Sequence, residues 1–228
     1  MILDAFKFTN NLFSNHFSKF LSVVFPVYVI IFFVYLQMSS IPGNEFGTTT
    51  AFNYQELVTN LLSMYAVILS ILLIDDICNG RKRSIINYLF LGAYLYFKIL
   101  VINLITALAI VLGLVLLILP GLYISARLLF ASYLAIIFDE GIVDSLKKSI
   151  ELTKGKGWRV LGYLFAVVVP LIFILILVLS GPAVFLSEKN MNAYIALTFS
   201  FSFLFTVYIT IYSYRLLINI TKTSDELN

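Results

Sequence analysis

Two pairs of adjacent carboxylates are the residues of this chain best suited to chemistry. Asp75-Asp76 and Asp139-Glu140 each follow a long apolar run. Carboxylates can exchange protons with a substrate or hold a cation. Because adjacent side chains on a helix point about 100° apart, neither pair converges by itself. A shared cation site would require the two helices that carry the pairs to be neighbours, and the sequence leaves that open.

Other groups that commonly carry catalysis are scarce. The chain has one histidine, His16, and one cysteine, Cys78. A lone cysteine excludes an intramolecular disulfide, and no cysteine-histidine cluster is present to hold zinc. We therefore predict no catalytic, cofactor-binding or metal-binding residue, and a protein that is not an enzyme.

Arg127 is an isolated charge inside a long apolar segment. An ionisable residue within a membrane span is a candidate functional residue. Three interpretations remain open from the sequence. The side chain snorkels to the surface along its stem, it makes a structural ion pair or carbonyl contact, or it contacts a substrate.

The composition identifies the solvent for most of the chain as lipid. Of 228 residues, 61% are hydrophobic and 12% are charged, whereas soluble domains carry about 25% charged residues. A chain this apolar cannot cover a soluble surface. No lysine-arginine block is long enough to follow a nucleic-acid backbone, so nucleic acid is excluded as a partner.

The spacing of charges predicts an all-α protein with six transmembrane helices. A span needs about 20 mostly apolar residues. The Pro120-Gly121 pair predicts a tight hairpin between the third and fourth spans, because proline interrupts a helix and glycine permits a reversal. The predicted spans are 20–38, 57–74, 99–119, 122–138, 160–180 and 193–214.

Three further segments are too short or too polar to cross and are predicted to lie on the cytoplasmic surface. They are 2–18, 84–97 and 141–154. We end the second at Lys98, because a lysine at the bilayer centre costs about 2.5–3.5 kcal/mol. In the third, apolar residues recur at helical spacing, and Asp144–Lys148 and Lys147–Glu151 are predicted ion pairs. Gly155 is its predicted stop and Trp158 its interfacial anchor.

The distribution of lysine and arginine predicts that both termini are cytoplasmic. With the N-terminus inside, thirteen of these residues fall on inner segments and only Lys189 on an outer one. Such an excess marks the cytoplasmic side. The inner face therefore carries the candidate contacts for anionic lipid headgroups or a partner, which are Arg81, Lys82, Arg83, Lys147, Lys148 and Lys154.

Several short motifs resemble one family of membrane proteins. They are Leu119-Pro120-Gly121-Leu122 followed by Arg127, Phe138-Asp139-Glu140-Gly141, Ser145-Leu146-Lys147-Lys148-Ser149 continuing through Leu152-Thr153 to Trp158, Asn79-Gly80-Arg81-Lys82-Arg83-Ser84, and Ser213-Tyr214-Arg215-Leu216. Together they resemble the YciC-like family of uncharacterised bacterial inner-membrane proteins. That family shares a loose pattern with the membrane domain of some glycerophosphodiester phosphodiesterases. The resemblance implies a multi-pass inner-membrane protein concerned with membrane or envelope homeostasis, and it supplies no reaction or binding residues.

The leading functional prediction is a non-enzymatic membrane homeostasis protein of the bacterial inner membrane. Its partners would be anionic membrane lipids, with a membrane protein or a second copy of the chain as the alternative. The second prediction is a small-molecule or ion transporter, and the third is a membrane-embedded enzyme. Transport needs a polar path, for which the spans offer only a few scattered residues: Ser63, Ser70, Asn103, Thr106, Ser200, Ser202 and Thr206.

Overall fold

A computed structural model describes residues 2–39, 54–185 and 191–225. The described residues form helices joined by short connections, and no strand occurs in them. The helices are α1 (Ile2–Val23), α2 (Phe25–Ser39), α3 (Tyr54–Cys78), α4 (Ile85–Leu116), α5 (Ile118–Leu128), α6 (Ala131–Ile137), α7 (Ile142–Leu152), α8 (Gly157–Phe185) and α9 (Met191–Asp225). Lys189, the cation predicted on the outer side, lies outside the described residues.

Five helical segments of the described chain are long and apolar enough to cross a membrane. They are α3, α4, α5 together with α6, most of α8 and most of α9. The bent pair of α1 and α2 makes a sixth if it is counted as one span. The prediction of a helical, multi-pass membrane protein is confirmed at this level.

Helix α3 lies at the centre of the bundle. Every residue from Ile68 to Asp76 is buried, and α3 packs against α2, α4, α6 and α9. A helix that is apolar all round is typical of such a position. This burial extends to the two aspartates at the C-terminal end of α3.

Two bends mark the beginning of the first span. Helix α1 is kinked at His16, where φ is −121° and ψ is 16°, close to the predicted boundary between 2–18 and 20–38. It then meets α2 at an angle of 50°, and Pro26 lies in the first turn of α2. A proline is tolerated there because the first amides of a helix have no intrahelical acceptor. The helix predicted over 2–18 is not isolated from the bundle, because α1 packs along α9 through contacts such as Asn10 to Tyr208.

The predicted boundary at Lys98 is wrong. Helix α4 runs without interruption from Ile85 to Leu116, about 48 Å at 1.5 Å per residue, so 84–97 and the third span form one helix. No proline interrupts it. The charge that suggested a boundary is compensated instead, since Lys98 Nζ lies 2.9 Å from an Asp139 carboxylate oxygen.

The hairpin after α4 is present, but its turn precedes Pro120-Gly121. The chain reverses at Leu117, which has extended backbone angles, and both predicted turn residues lie within α5. Helices α4 and α5 then pack closely enough that a Cβ on Gly113 would lie 2.8 Å from the Cα of Gly121. Glycine at both positions permits this approach.

One contact of the hairpin conflicts with the predicted membrane arrangement. The sequence placed Pro120 on the outer side and Trp158 on the inner side. In the structure the rings of Tyr123 and Trp158 lie 5.5 Å apart, and Leu119 and Pro120 border the same cleft as Trp158. These residues cannot occupy opposite surfaces of a hydrocarbon layer about 30 Å thick.

Candidate functional site

The buried aspartates at the end of α3 form an internal ion cluster. Asp76 is 1% exposed; its carboxylate oxygens lie 3.2 Å from Arg81 Nε and 3.1 Å from Arg83 Nε. A buried carboxylate needs such compensation because removing its charge from water is costly. The loop that follows α3 therefore folds back, so that its two arginines contact the carboxylate at the C-terminal end of α3.

Asp75 is compensated in the same way. It pairs with Arg81, accepts a 2.9 Å hydrogen bond from Asn79 Nδ2, and accepts one of 3.2 Å from the Tyr214 hydroxyl of α9. The Tyr214 contact joins residues 139 positions apart in the chain. The cluster ties α3 to the following loop and to α9, and we interpret it as structural.

The second carboxylate pair has separate partners. Asp139 pairs with Lys98, and a Glu140 oxygen lies 2.5 Å from Lys148 Nζ. Within 2–39, 54–185 and 191–225, no group of three or more histidine, cysteine or acidic side chains is placed to hold a metal ion. The shared cation site that would join the two pairs does not form.

These ion pairs reduce the set of candidate headgroup contacts. Arg81, Arg83 and Lys148 are engaged with buried or partly buried carboxylates. Lys148 pairs with Glu140 rather than with the predicted Asp144. Of the six predicted contacts, Lys82, Lys147 and Lys154 are exposed and form no ion pair with any residue the structure describes.

Helix α7 buries small hydroxyl residues, which the sequence analysis missed. Ser145, Ser149 and Thr153 are fully buried, and their spacing of four residues places them on one face. The predicted apolar side is divided, because Val143 and Ile150 are 57% and 41% exposed. The four-residue repeat of small hydroxyl residues is the feature of the sequence from which this buried face could have been predicted. A helix with this arrangement presents apolar side chains outward.

Arg127 is the residue on which α7 is anchored. Its Nη2 donates 2.7 Å to the carbonyl of Ile150, and its own carbonyl accepts a 2.7 Å hydrogen bond from Ser149 Oγ. Its Nη1 donates 3.1 Å to the hydroxyl of Tyr123. Of the three sequence interpretations, the structure shows the carbonyl contact. No carboxylate pairs with Arg127 among the described residues.

Arg127 adjoins a basic and aromatic surface where α7 leads into α8. Gly155 ends the connection in a left-handed conformation, with φ of 70°, and the close approach of Gly157 to Tyr123 and Arg127 brings α8 against α5. We define the basic junction as Arg127, Lys154, Lys156 and Arg159. Beside it lies an open cleft of about 330 Å³ lined by Leu119, Pro120, Tyr123 and Trp158.

The basic junction has few neighbouring acids along the chain. No described acidic side chain pairs with Lys154, Lys156 or Arg159. The segment 153–156 that joins α7 to α8 has no carboxylate, and Glu151 lies just before it in α7. Lys154, Lys156 and Arg159 lie within four residues of Trp158, which lines the cleft, and Arg127 adjoins the Tyr123 ring of the same cleft. Such an arrangement suits an anionic group that carries an apolar chain.

Comparison with known proteins provides no relative for this chain. No family model, no curated protein and no solved structure matches it.

Proposed function

We propose that the chain is a non-enzymatic, multi-pass protein of the bacterial inner membrane that binds an anionic phospholipid at the basic junction. The carrying observation is the position of Arg127, a guanidinium with carbonyl and hydroxyl partners but no carboxylate partner in the described chain. A phosphate oxygen is a strong acceptor for such a group. Lipid binding was also predicted from the sequence, but the residues now proposed to bind the headgroup are those of the basic junction, which share only Lys154 with the predicted contacts.

The cleft beside the basic junction supports a lipid over a soluble anion. Its four lining residues are apolar or aromatic, and the Tyr123 ring also lies 5.6 Å from the Arg127 guanidinium. Tyrosine and tryptophan concentrate at the headgroup level of membranes. The headgroup would contact the cations, and the acyl chain would lie along the cleft.

The charge distribution supports placing the basic junction on the cytoplasmic side. Lys154, Lys156 and Arg159 belong to the thirteen cations that the sequence assigns to inner segments. The conflict at the hairpin does not alter this assignment. A hairpin returns the chain to the side it left whether it crosses the membrane or only enters it, so the hairpin is compatible with the predicted arrangement in which both termini are cytoplasmic.

The resemblance to the YciC-like family agrees with a role in membrane or envelope homeostasis, and we retain that role as part of the proposal. A protein that senses or organises anionic lipid needs a binding surface and no reaction. A second copy of the chain or another membrane protein is the alternative occupant of the same surface.

The test is native mass spectrometry of the detergent-purified protein titrated with dioleoylphosphatidylglycerol. We compare the triple variant Lys154→Gln, Lys156→Gln, Arg159→Gln with a control that removes three exposed cations elsewhere, Lys7→Gln, Lys19→Gln and Lys222→Gln. Each basic residue near an anionic surface contributes about 1 kcal/mol. The first variant should lose at least about tenfold in affinity and the control little.

Equal losses in the two variants would show a general charge effect and contradict a site at the basic junction. Dioleoylphosphatidylcholine, which carries no net charge, should bind more weakly to the unmodified protein than dioleoylphosphatidylglycerol. Equal binding of the two lipids would also contradict the proposal.

A second candidate function is transport of a small uncharged molecule. The observation that favours transport is that two adjoining cavities are lined by polar residues that are far apart in the sequence. These residues are Ser63, Asn103, Ser202 and Thr206. Uptake of radiolabelled glycerol into proteoliposomes, faster than into protein-free liposomes, would support transport. Equal rates would exclude it for this solute.

A further inference from the structure

Two partly open cavities adjoin each other at α3, away from the basic junction. The larger, of about 370 Å³, is bordered by residues of α2, α3, α8 and α9. The smaller, of about 240 Å³, is bordered by α3, α4, α6 and Leu129, which precedes α6. Asn60 and Ser63 of α3 line both, so we treat them as one site, the paired cavity. The larger half alone falls in the size range of small-molecule sites.

The paired cavity is lined by uncharged polar groups and apolar side chains. The polar groups in its larger half include Tyr28, Thr59, Ser202 and Thr206, and those in its smaller half include Asn103 and Ser132. Among the residues that the structure describes, no charged one borders either half. Ile31, Leu175 and Phe199 supply an apolar wall in the larger half. This lining fits an uncharged molecule with both a polar and an apolar part.

Three hydroxyl groups of the lining donate to carbonyl oxygens of their own helices. Thr59 donates to Gln55, Ser63 to Asn60 and Ser202 to Thr198. Ser and Thr side chains in helices commonly make this bond. Their oxygens retain lone pairs that can accept a hydrogen bond from an occupant.

The two asparagine side chains are incompletely hydrogen-bonded. The carboxamide of Asn60 bonds to no residue that the structure describes. That of Asn103 accepts one bond of 3.0 Å, from Ser132 Oγ, through its oxygen only. A carboxamide offers two donor hydrogens and an acceptor oxygen. In a span, where lipid supplies no partner, leaving such groups unpaired costs free energy.

We propose that the paired cavity binds an uncharged amphiphile with a hydroxylated head, of the monoacylglycerol class. The hydroxyls of the head would bond to Asn60 and to the free carboxamide hydrogens of Asn103, and the chain would lie against Ile31, Leu175 and Phe199. The absence of charged residues from the lining disfavours phospholipid headgroups. This site is separate from the basic junction, so its occupancy does not depend on the proposed function.

The test is saturable binding of tritiated 1-oleoylglycerol to the purified full-length protein, with methyl oleate as competitor. Methyl oleate has the same chain and no hydroxyl group. Unlabelled 1-oleoylglycerol should displace the label, and methyl oleate should not. Absence of saturable binding, or equal displacement by both compounds, would overturn the proposal, because the cavity would then hold only water or any apolar chain.

Two matched pairs of variants locate the site. Asn60→Leu should weaken binding about fivefold, since a lost hydrogen bond contributes about 1 kcal/mol. Asn87→Leu, an exposed asparagine of α4 outside the lining, should leave it unchanged. Likewise Ser63→Ala should weaken binding, while Ser70→Ala should not. The Ser70 hydroxyl also donates to a carbonyl of α3, that of Ala66, but Ser70 lies outside the lining. Equal effects within both pairs would contradict this location.

Discussion

At the scale of single residues, the carboxylates first considered for chemistry serve to hold the bundle together. The sequence identified Asp75-Asp76 correctly as unusual, but it could not assign their partners. Arg81 and Arg83 follow closely in the chain, whereas Tyr214 comes from α9. The long-range partner depends on which helices pack together, and local patterns carry no such information.

We predict that Asp76→Asn destabilises the protein. The change leaves Arg83 and Arg81 beside a neutral group at a site where the carboxylate is buried. Breaking a buried pair costs about 3–5 kcal/mol, and the partial exposure of both arginines reduces this to about 2 kcal/mol. The corresponding fall in Tm in detergent is roughly 4–8 °C.

The control for this change is Asp144→Asn. Asp144 is exposed on α7 and has no ion pair with the described residues, so its Tm should change by less than about 2 °C. A fall of similar size in both variants would mean that the cluster at the end of α3 contributes no particular stability.

At the scale of helices, the apolar segments could be predicted from the sequence, but their ends could not. Charges were used as boundaries, and this failed at Lys98 because Asp139 returns through the hairpin to compensate it. Pro120 was used as a turn, and this failed because proline is accepted in the first turn of α5. In both cases a tertiary contact or a helix end decided the structure.

The continuity of α4 can be measured by the distance between spin labels at Phe90→Cys and Leu108→Cys, in a Cys78→Ser background. Both positions are exposed. A continuous helix places their backbones about 27 Å apart, whereas a right-angled break at Lys98 places them about 19 Å apart. We expect the longer distance. A second pair of labels, at Arg159→Cys and Val169→Cys, measures how much the label side chains add to the distance. Both positions are exposed on α8, and their backbones lie about 15 Å apart along the helix.

The close approach of α4 and α5 gives a second prediction at this scale. Gly113→Ala should destabilise the protein by about 1–3 kcal/mol, because its Cβ would lie 2.8 Å from the backbone of Gly121. Gly162→Ala is the matched control, since a Cβ there would meet no described atom within 4 Å beyond its chain neighbours and the backbone of its own helix, and alanine is the better helix former. Thermal unfolding in detergent measures both. Equal stability of the two variants would contradict the hairpin packing.

At the scale of the whole molecule, composition alone was sufficient to predict a helical membrane protein, and the five or six apolar helices confirm it. The way in which these helices pack against one another could not be predicted from the sequence to the same extent. Contacts such as Tyr123 to Trp158 depend on the packing of α5 against α8, and hydropathy carries no information about packing. The central claim that remains is that the basic segments face the cytoplasm.

Cysteine accessibility in intact bacterial cells tests that claim most directly. In the Cys78→Ser background, a membrane-impermeant maleimide should leave Lys147→Cys unlabelled until the cells are permeabilised, because its segment carries the inner-side excess of lysine and arginine. Lys189→Cys, assigned to the outer side, should be labelled without permeabilisation. Labelling of Lys147→Cys in intact cells would contradict the orientation, and with it a cytoplasmic lipid site at the basic junction.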